Sequence, residues 1–216
     1  MSGAGARDAG FLMRRILKPV LFVAALLPAA WIVRGILHGT LGVNPAETIQ
    51  LQTGRWALKF LLLTLAVTPV RRLTGWNAVV QYRRMLGLFA FFYASLHFAS
   101  YIVLDQFFAW RAILSDIAKR PFILMGTLAF LAMLPLAITS TKGWIRRLGR
   151  RWQTLHRLVY LSAACAVVHF AWKVKIFAGD PVLYALVLTA LLGFRAVYAL
   201  RKRFDRPRRR VAETAA

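Results

Sequence analysis

Trp152 to Trp172, WQTLHRLVYLSAACAVVHFAW, is an apolar run with a histidine near each end, and its reading decides the fold. His156 and His169 are 13 residues apart. At about 1.5 Å of rise per residue in an α-helix they stand about 20 Å apart along the axis. A bilayer's hydrocarbon core is about 30 Å thick, so such a helix carries one imidazole toward each face. Ionisable groups at that depth are costly and face a bundle interior. Neutral imidazole is an axial ligand of haem iron, and two stacked haems would carry electrons across the membrane.

Outward from this run the chain repeats one pattern, long apolar segments between basic loops. Six segments stand out, at about 19–37, 56–70, 85–104, 122–139, 155–172 and 182–200. The second is short for a full crossing, and Lys59 reads as a side chain that snorkels to the nearer interface. HGTLGVNPAETIQLQTGR, between the first two, reads as a loop bounded by His38 and Arg55 because it is rich in turn residues. LLPAAW in the first segment imitates a signal-peptide cleavage site, but the run is long and equal ones follow, so it reads as a retained span. The expected fold is all-α: a six-helix integral membrane bundle over residues 19–200, with a basic segment 1–18 before it and a basic tail 201–216 after it.

Composition supports this class. Of 216 residues 59% are hydrophobic, yet 30 Lys and Arg face only 7 Asp and Glu, a formal charge of +23. Clustered cations also bind nucleic acid, but here they lie between runs too apolar and too long for a soluble domain, so no nucleic-acid partner is expected. The Lys and Arg residues sort by loop. The N-terminus, the loop with Arg71, Arg72, Arg83 and Arg84, the cluster from Lys142 to Arg151 and the tail fall on one side. The other side holds Arg34, Arg55, Lys59, Arg111, Lys119, Arg120, Lys173 and Lys175. Both termini are therefore expected in the cytoplasm. Arg157 and Arg195 read as lying within the fifth and sixth helices.

The single cysteine, Cys165, forms no intrachain disulfide, and the absence of C-x-x-C-H excludes covalent c-type attachment, so a haem here would be a non-covalent b-type. No G-x-G-x-x-G or P-loop points to a nicotinamide site.

Three of the four histidines lie in spans. The third and fifth spans run in the same direction, so depths compare directly: His97 is about 12 residues into one and His169 about 14 into the other, both in the outer half. They form a candidate axial pair for one haem. His156 sits near the cytoplasmic edge, where the matching position on the third span is Arg83 or Arg84 rather than histidine. A second haem there would need an unusual ligand, a water or another residue. At about 100° per residue, 13 residues leave His156 and His169 mismatched by about 140° around the helix. The helix must distort, or His156 must lie in its fraying first turn.

Plainer readings stand beside these. An intramembrane histidine often bonds a neighbouring helix, His38 reads as a solvated loop residue, and Phe89, Phe91, Phe92, Tyr93 and Phe98 read as packing. Trp110, Trp144, Trp152 and Trp172 suit an interface belt. Arginines of the inner loops could serve propionates or a flavin phosphate as well as topology.

The strings GVNPAETI, TGRWAL, VTPVRR, RRMLGLFAFFYASLH, RPFILMGT, LPLAITS and RLGRRWQTLHRLVY, followed by HFAW, cover about residues 42–172. They closely resemble the haem-binding membrane subunits of bacterial periplasmic methionine sulfoxide reductase systems, in the ferric reductase-like transmembrane group. The resemblance implies that His97, His156 and His169 are the haem-associated histidines, with iron as the metal. It implies FMN on the cytoplasmic side, and an inner-membrane, non-catalytic electron-transfer role. It also implies delivery to a periplasmic MsrP-like molybdoenzyme that repairs oxidised methionine. Relative to ferric reductases and NADPH oxidases the chain lacks an attached FAD and NADPH domain, so the donor would be a cytoplasmic flavin reductase or quinol. It also has Arg83 where they carry a first haem histidine, which leaves Arg83 as a contact to an inner haem or its propionates. Two other functions fit the same residues: a ferric or metal reductase acting directly on a soluble acceptor, and a non-redox structural membrane protein.

Overall fold

The computed structural model describes residues 13–174 and 179–214, with side chains over 15–174 and 179–202. Arg7, Arg14, Lys175 and the arginines of the tail beyond Lys202, all counted in the charge reading, lie outside the described side chains. Among the described residues every regular element is helical: α1 (Lys18–Leu37), α2 (Pro45–Thr74), α3 (Arg83–Ser100), α4 (Trp110–Lys119), α5 (Pro121–Ile138), α6 (Lys142–Leu148), α7 (Arg150–Leu155), α8 (Leu158–Val174) and α9 (Asp180–Thr214). A π-helical turn, Met13–Leu17, leads into α1; a 3₁₀ turn, Asn77–Tyr82, leads into α3; and a π-helical turn, Tyr101–Asp105, follows it.

Five stretches are long and apolar enough to cross a membrane: Arg15–Leu37, Asn77–Asp105, Pro121–Ile138, Arg150–Val174 and Asp180–Lys202. They include five of the six expected spans. Their outward residues suit lipid, with Val23 59%, Leu27 61%, Leu131 53% and Leu186 63% exposed, far more apolar surface than a soluble monomer shows. The chain is a multi-pass membrane protein.

The expected second span is corrected in length, and α2 does not meet the same criterion. It is a 30-residue helix, about 45 Å long, and it begins inside the stretch read as a loop. The physical reason lies in NPAE. Asn44 caps the helix by accepting the Glu47 N–H at 3.2 Å, the Asn44 amide donates back to Glu47 Oε2 at 3.2 Å, and Pro45 occupies the first turn. This is an asparagine N-cap, braced by a side-chain bond to the third residue of the helix, with proline at its preferred place. Turn-forming composition and helix-starting composition overlap, and the order of the four residues decides between them. Gly75, at φ +71°, ends the helix in the left-handed region.

Packing is closest within two helix pairs, α2 with α3 and α5 with α8. α1 and α9 lean on this core, and α3 meets α5 between the pairs. In the first pair Phe60 stacks on Tyr93 at 5.5 Å and on Phe89 at 5.6 Å. Between the pairs Phe130 stacks on Phe98 at 4.8 Å and on Phe91 at 5.7 Å. These aromatics pack, as expected. Helices already in lipid gain no hydrophobic energy by meeting, so close packing and satisfied polar groups must hold them. Ser162, fully buried on α8, donates to the Ala129 carbonyl of α5 at 2.9 Å.

Two breaks in helical bonding are filled by side chains from other helices. Pro69 has no N–H, so the Leu65 carbonyl of α2 loses its helical partner; Arg195 Nη2 donates to it at 2.6 Å while Nη1 donates to the Tyr160 hydroxyl at 2.6 Å. In α1, beside Pro28, the Tyr93 hydroxyl donates to the Ala25 carbonyl at 2.7 Å and accepts from the Ala29 N–H at 3.1 Å. It stands inserted in the ladder where those two groups would otherwise bond each other.

The expected fifth helix is also corrected. It is broken: α7 ends at Leu155, His156 and Arg157 form a turn, and α8 starts at Leu158. Arg157 therefore lies in that turn and not within a helix. A local distortion was one of the two arrangements that the 13-residue spacing allowed, and a turn stands at that place. The connection before the fourth span holds the short helix α4, whose Asp116 accepts from Tyr101 Oη at 3.1 Å and Gln106 Nε2 at 3.3 Å.

Candidate functional site

His97 lies near the end of α3 and His169 near the end of α8, and their rings meet. The centroids are 6.0 Å apart with planes at 73°. The depth argument expected this meeting, and the two closely packed pairs bring it about.

Each ring is held in the same way. His97 Nδ1 is 2.9 Å from the Gln50 carbonyl of α2, 47 residues back. His169 Nδ1 is 2.6 Å from the Phe122 carbonyl of α5, also 47 residues back. A carbonyl only accepts, so each Nδ1 carries the proton and donates, which leaves each Nε2 with a free lone pair. Metal-ligating histidines are oriented by such bonds from the other ring nitrogen.

The residue four positions after each accepting carbonyl is glycine. A Cβ on Gly54 would fall 3.1 Å from His97 Cε1 and Nδ1, and one on Gly126 would fall 2.7 Å from His169 Nδ1 and 2.9 Å from its Cε1. At Gly126 any other residue would force the His169 ring to shift, and at Gly54 it would crowd the His97 ring more mildly. Residues 50–54 and 122–126 thus form two matching half-sites, carbonyl at one end and glycine one turn later.

Both rings line one cavity, whose wall is otherwise mainly apolar and includes Leu58, Leu61, Phe98, Phe130 and Met133. Among the described residues no group of three or more His, Cys, Asp or Glu side chains is placed to hold a metal ion. Two imidazoles alone make a poor structural zinc site, which takes four protein ligands. They are a complete protein set for haem, whose macrocycle supplies the remaining donors. The 6.0 Å between the ring centroids is of the size that one iron shared by two imidazoles would need. The residues fit haem.

His156 is not brought to this pair. It sits in the turn between α7 and α8, with its ring stacked on Trp152 at 3.8 Å and its Nδ1 3.1 Å from the Trp152 carbonyl. Trp152 is more than a belt residue, since its Nε1 donates to the Thr139 carbonyl at 3.0 Å and ties this turn to the end of α5. Arg83 opens α3 as His156 precedes α8, and these two helices meet near their far ends at His97 and His169. His156 and Arg83 therefore share one end of the bundle, and His97 and His169 lie toward the other.

Three residues escaped the sequence reading. Gly54 and Gly126 were detectable only by counting one turn from a carbonyl that a histidine reaches, a pairing that sequence does not display. Arg195 was noted as an intrahelical charge, and the signal for its role was Pro69, which leaves Leu65 without a partner.

The model of the family described as "Ferric reductase like transmembrane component" matches residues 53–167, which include His97 and His156 and end two residues before His169. A protein of Rhodospirillum rubrum named protein-methionine-sulfoxide reductase heme-binding subunit MsrQ is 49% identical over 190 residues, covering 88% of this chain and 91% of the relative. Proteins with the same name from Herminiimonas arsenicoxydans and Azospira oryzae are 48% and 51% identical, covering 87% and 86% of this chain and 88% and 80% of those relatives. No solved structure matches. On these similarities and on the paired, carbonyl-oriented histidines, the chain belongs to the MsrQ family of heme-binding membrane subunits within the ferric reductase-like transmembrane group.

Proposed function

We propose that the chain is the haem b-containing electron-transfer subunit of a periplasmic methionine sulfoxide reductase system in a bacterial inner membrane. The observation that carries this reading is the meeting of His97 and His169 at 6.0 Å, each with Nδ1 spent on a backbone carbonyl. These two side chains hold the iron of an outer haem. When bound, the haem supplies reversible one-electron transfer at its iron. The chain's own residues orient the ligands, close an apolar wall around them and keep water away, and such surroundings tune a haem potential.

His156 and Arg83 mark a second cofactor position at the opposite end, where Arg83 contacts an inner haem or its propionates. In this reading α2 is the sixth transmembrane helix. Its charged residues are tolerated because its middle is buried among α1, α3, α8 and α9. Residues 19–200 form the membrane domain, and segments 1–18 and 201–216 lie in the cytoplasm, as the basic loops require. FMN belongs on that basic side. The donor is a cytoplasmic flavin reductase or quinol, the acceptor is a periplasmic MsrP-like molybdoenzyme, and the chain itself catalyses no substrate conversion.

The test is an absorption spectrum of detergent-purified protein, oxidised and dithionite-reduced, with haem counted per chain by pyridine haemochrome. A b-type spectrum is expected, with His97→Ala and His169→Ala each losing the same component. A haem-free protein from haem-supplied cells, or either variant with an unchanged spectrum, refutes it.

A further inference from the structure

The cavity that holds His97 and His169 is apolar along most of its wall, but Arg55, Arg120 and Lys173 also line it, with Asp105. Arg55 Nη2 reaches Asp180 Oδ2 at 3.4 Å, while its Nε is buried without a hydrogen-bond partner. Arg120 Nε is held by Asp116 Oδ1 at 3.1 Å. Lys173 follows His169 by one helical turn on α8, so the two side chains share a face. It has no ion-pair partner among the described residues. One lining cation thus lacks a counter-ion and another keeps an unused donor.

We infer that this rim is a carboxylate clamp: Lys173 and the Nε edge of Arg55 bind the two propionates of the haem held by His97 and His169. The inference rests on the haem reading above and adds which edge of the macrocycle faces the rim. Beyond its iron-porphyrin core, haem b carries its negative charges on those two carboxylates. Buried against the apolar wall they would be desolvated without a partner, whereas at the rim they gain charge-assisted hydrogen bonds. Arg55 is steadied for the task by Asp180, which leaves its Nε free.

The experiment uses the full chain, produced in haem-deficient cells and purified in detergent. It is titrated with haem b and separately with haem dimethyl ester, whose propionates are neutral. Wild type is expected to hold the ester about ten-fold more weakly, the loss typical of a charge-assisted bond. Lys173→Met and Arg55→Gln should each shrink that ratio, the double variant should bring it near unity, and Lys173→Arg should restore it. Lys173 is exposed, so Lys173→Met is expected to fold, and circular dichroism checks this. The midpoint potential of its haem should fall, because a cation that opposes oxidation of the iron is gone. Equal binding of the two porphyrins by wild type, or an undiminished ratio in the double variant, overturns the clamp and leaves the haem reading intact. Failure of wild type to bind either porphyrin overturns both.

Discussion

Gly126 lies so close under His169 that a Cβ at that position would fall 2.7 Å from the ring Nδ1. The same nitrogen donates to Phe122, one turn earlier. Gly126→Ala should therefore displace the imidazole and lower haem content several-fold without unfolding the bundle. Gly54→Ala, at 3.1 Å from His97, should have the same effect more mildly. Pyridine haemochrome per chain, beside circular dichroism, measures both, and full haem content in Gly126→Ala would contradict this account of the site.

The Arg195 contact to Leu65 predicts a compensation. Arg195→Met leaves a buried carbonyl and the Tyr160 hydroxyl without their donor, at a cost of about 1–3 kcal/mol. Pro69→Ala supplies the missing backbone N–H, so Arg195→Met should be less costly in that background. Thermal unfolding of the four proteins in one detergent measures the coupling. Strict additivity would mean that Arg195 does not replace the proline's lost bond.

At the start of α2, Asn44→Ala should cost about 0.5–2 kcal/mol through loss of the cap. The first turns of that helix present Gln50 and Gly54 to His97, so fraying should disturb one ligand of the pair and spare Phe122 and Gly126. Asn44→Ala is expected to change the haem spectrum toward weaker axial ligation before it lowers total secondary structure. A variant that loses stability with an unaltered spectrum would separate the cap from the site.

His156→Ala tests the other end. It should remove the second cofactor component, or shift its spectrum, and leave the component that depends on His97 and His169 unchanged. Loss of the latter instead would place His156 in the same site as the pair.

Much of this was legible in the residues. Apolar runs separated by basic loops gave the membrane class, and counting depth along parallel spans matched His97 with His169. The rotational mismatch between His156 and His169 allowed either a local distortion or a first-turn position for His156, and the chain has a turn at His156–Arg157. The start of α2 was misread because Asn, Pro and Gly signal both turns and helix ends, and only the reciprocal spacing of Asn44 and Glu47 separates the two uses. Arg195 and Gly126 were opaque for another reason. Their roles belong to pairs far apart in the chain, and no local pattern records which helix will lie opposite.

The two helix pairs, α2 with α3 and α5 with α8, each contribute one histidine and one glycine-backed carbonyl to the same gap. A group bound there acts as a rivet between halves that are otherwise joined where α3 meets α5, where α2 meets α8, and through α9, which packs on both. Cofactor supply would then govern how tightly the halves stay assembled, since anything that binds only the closed form adds its binding energy to the fold. In a cell short of haem, this subunit would be lost to membrane proteases first by parting along that seam, with each helical hairpin still intact.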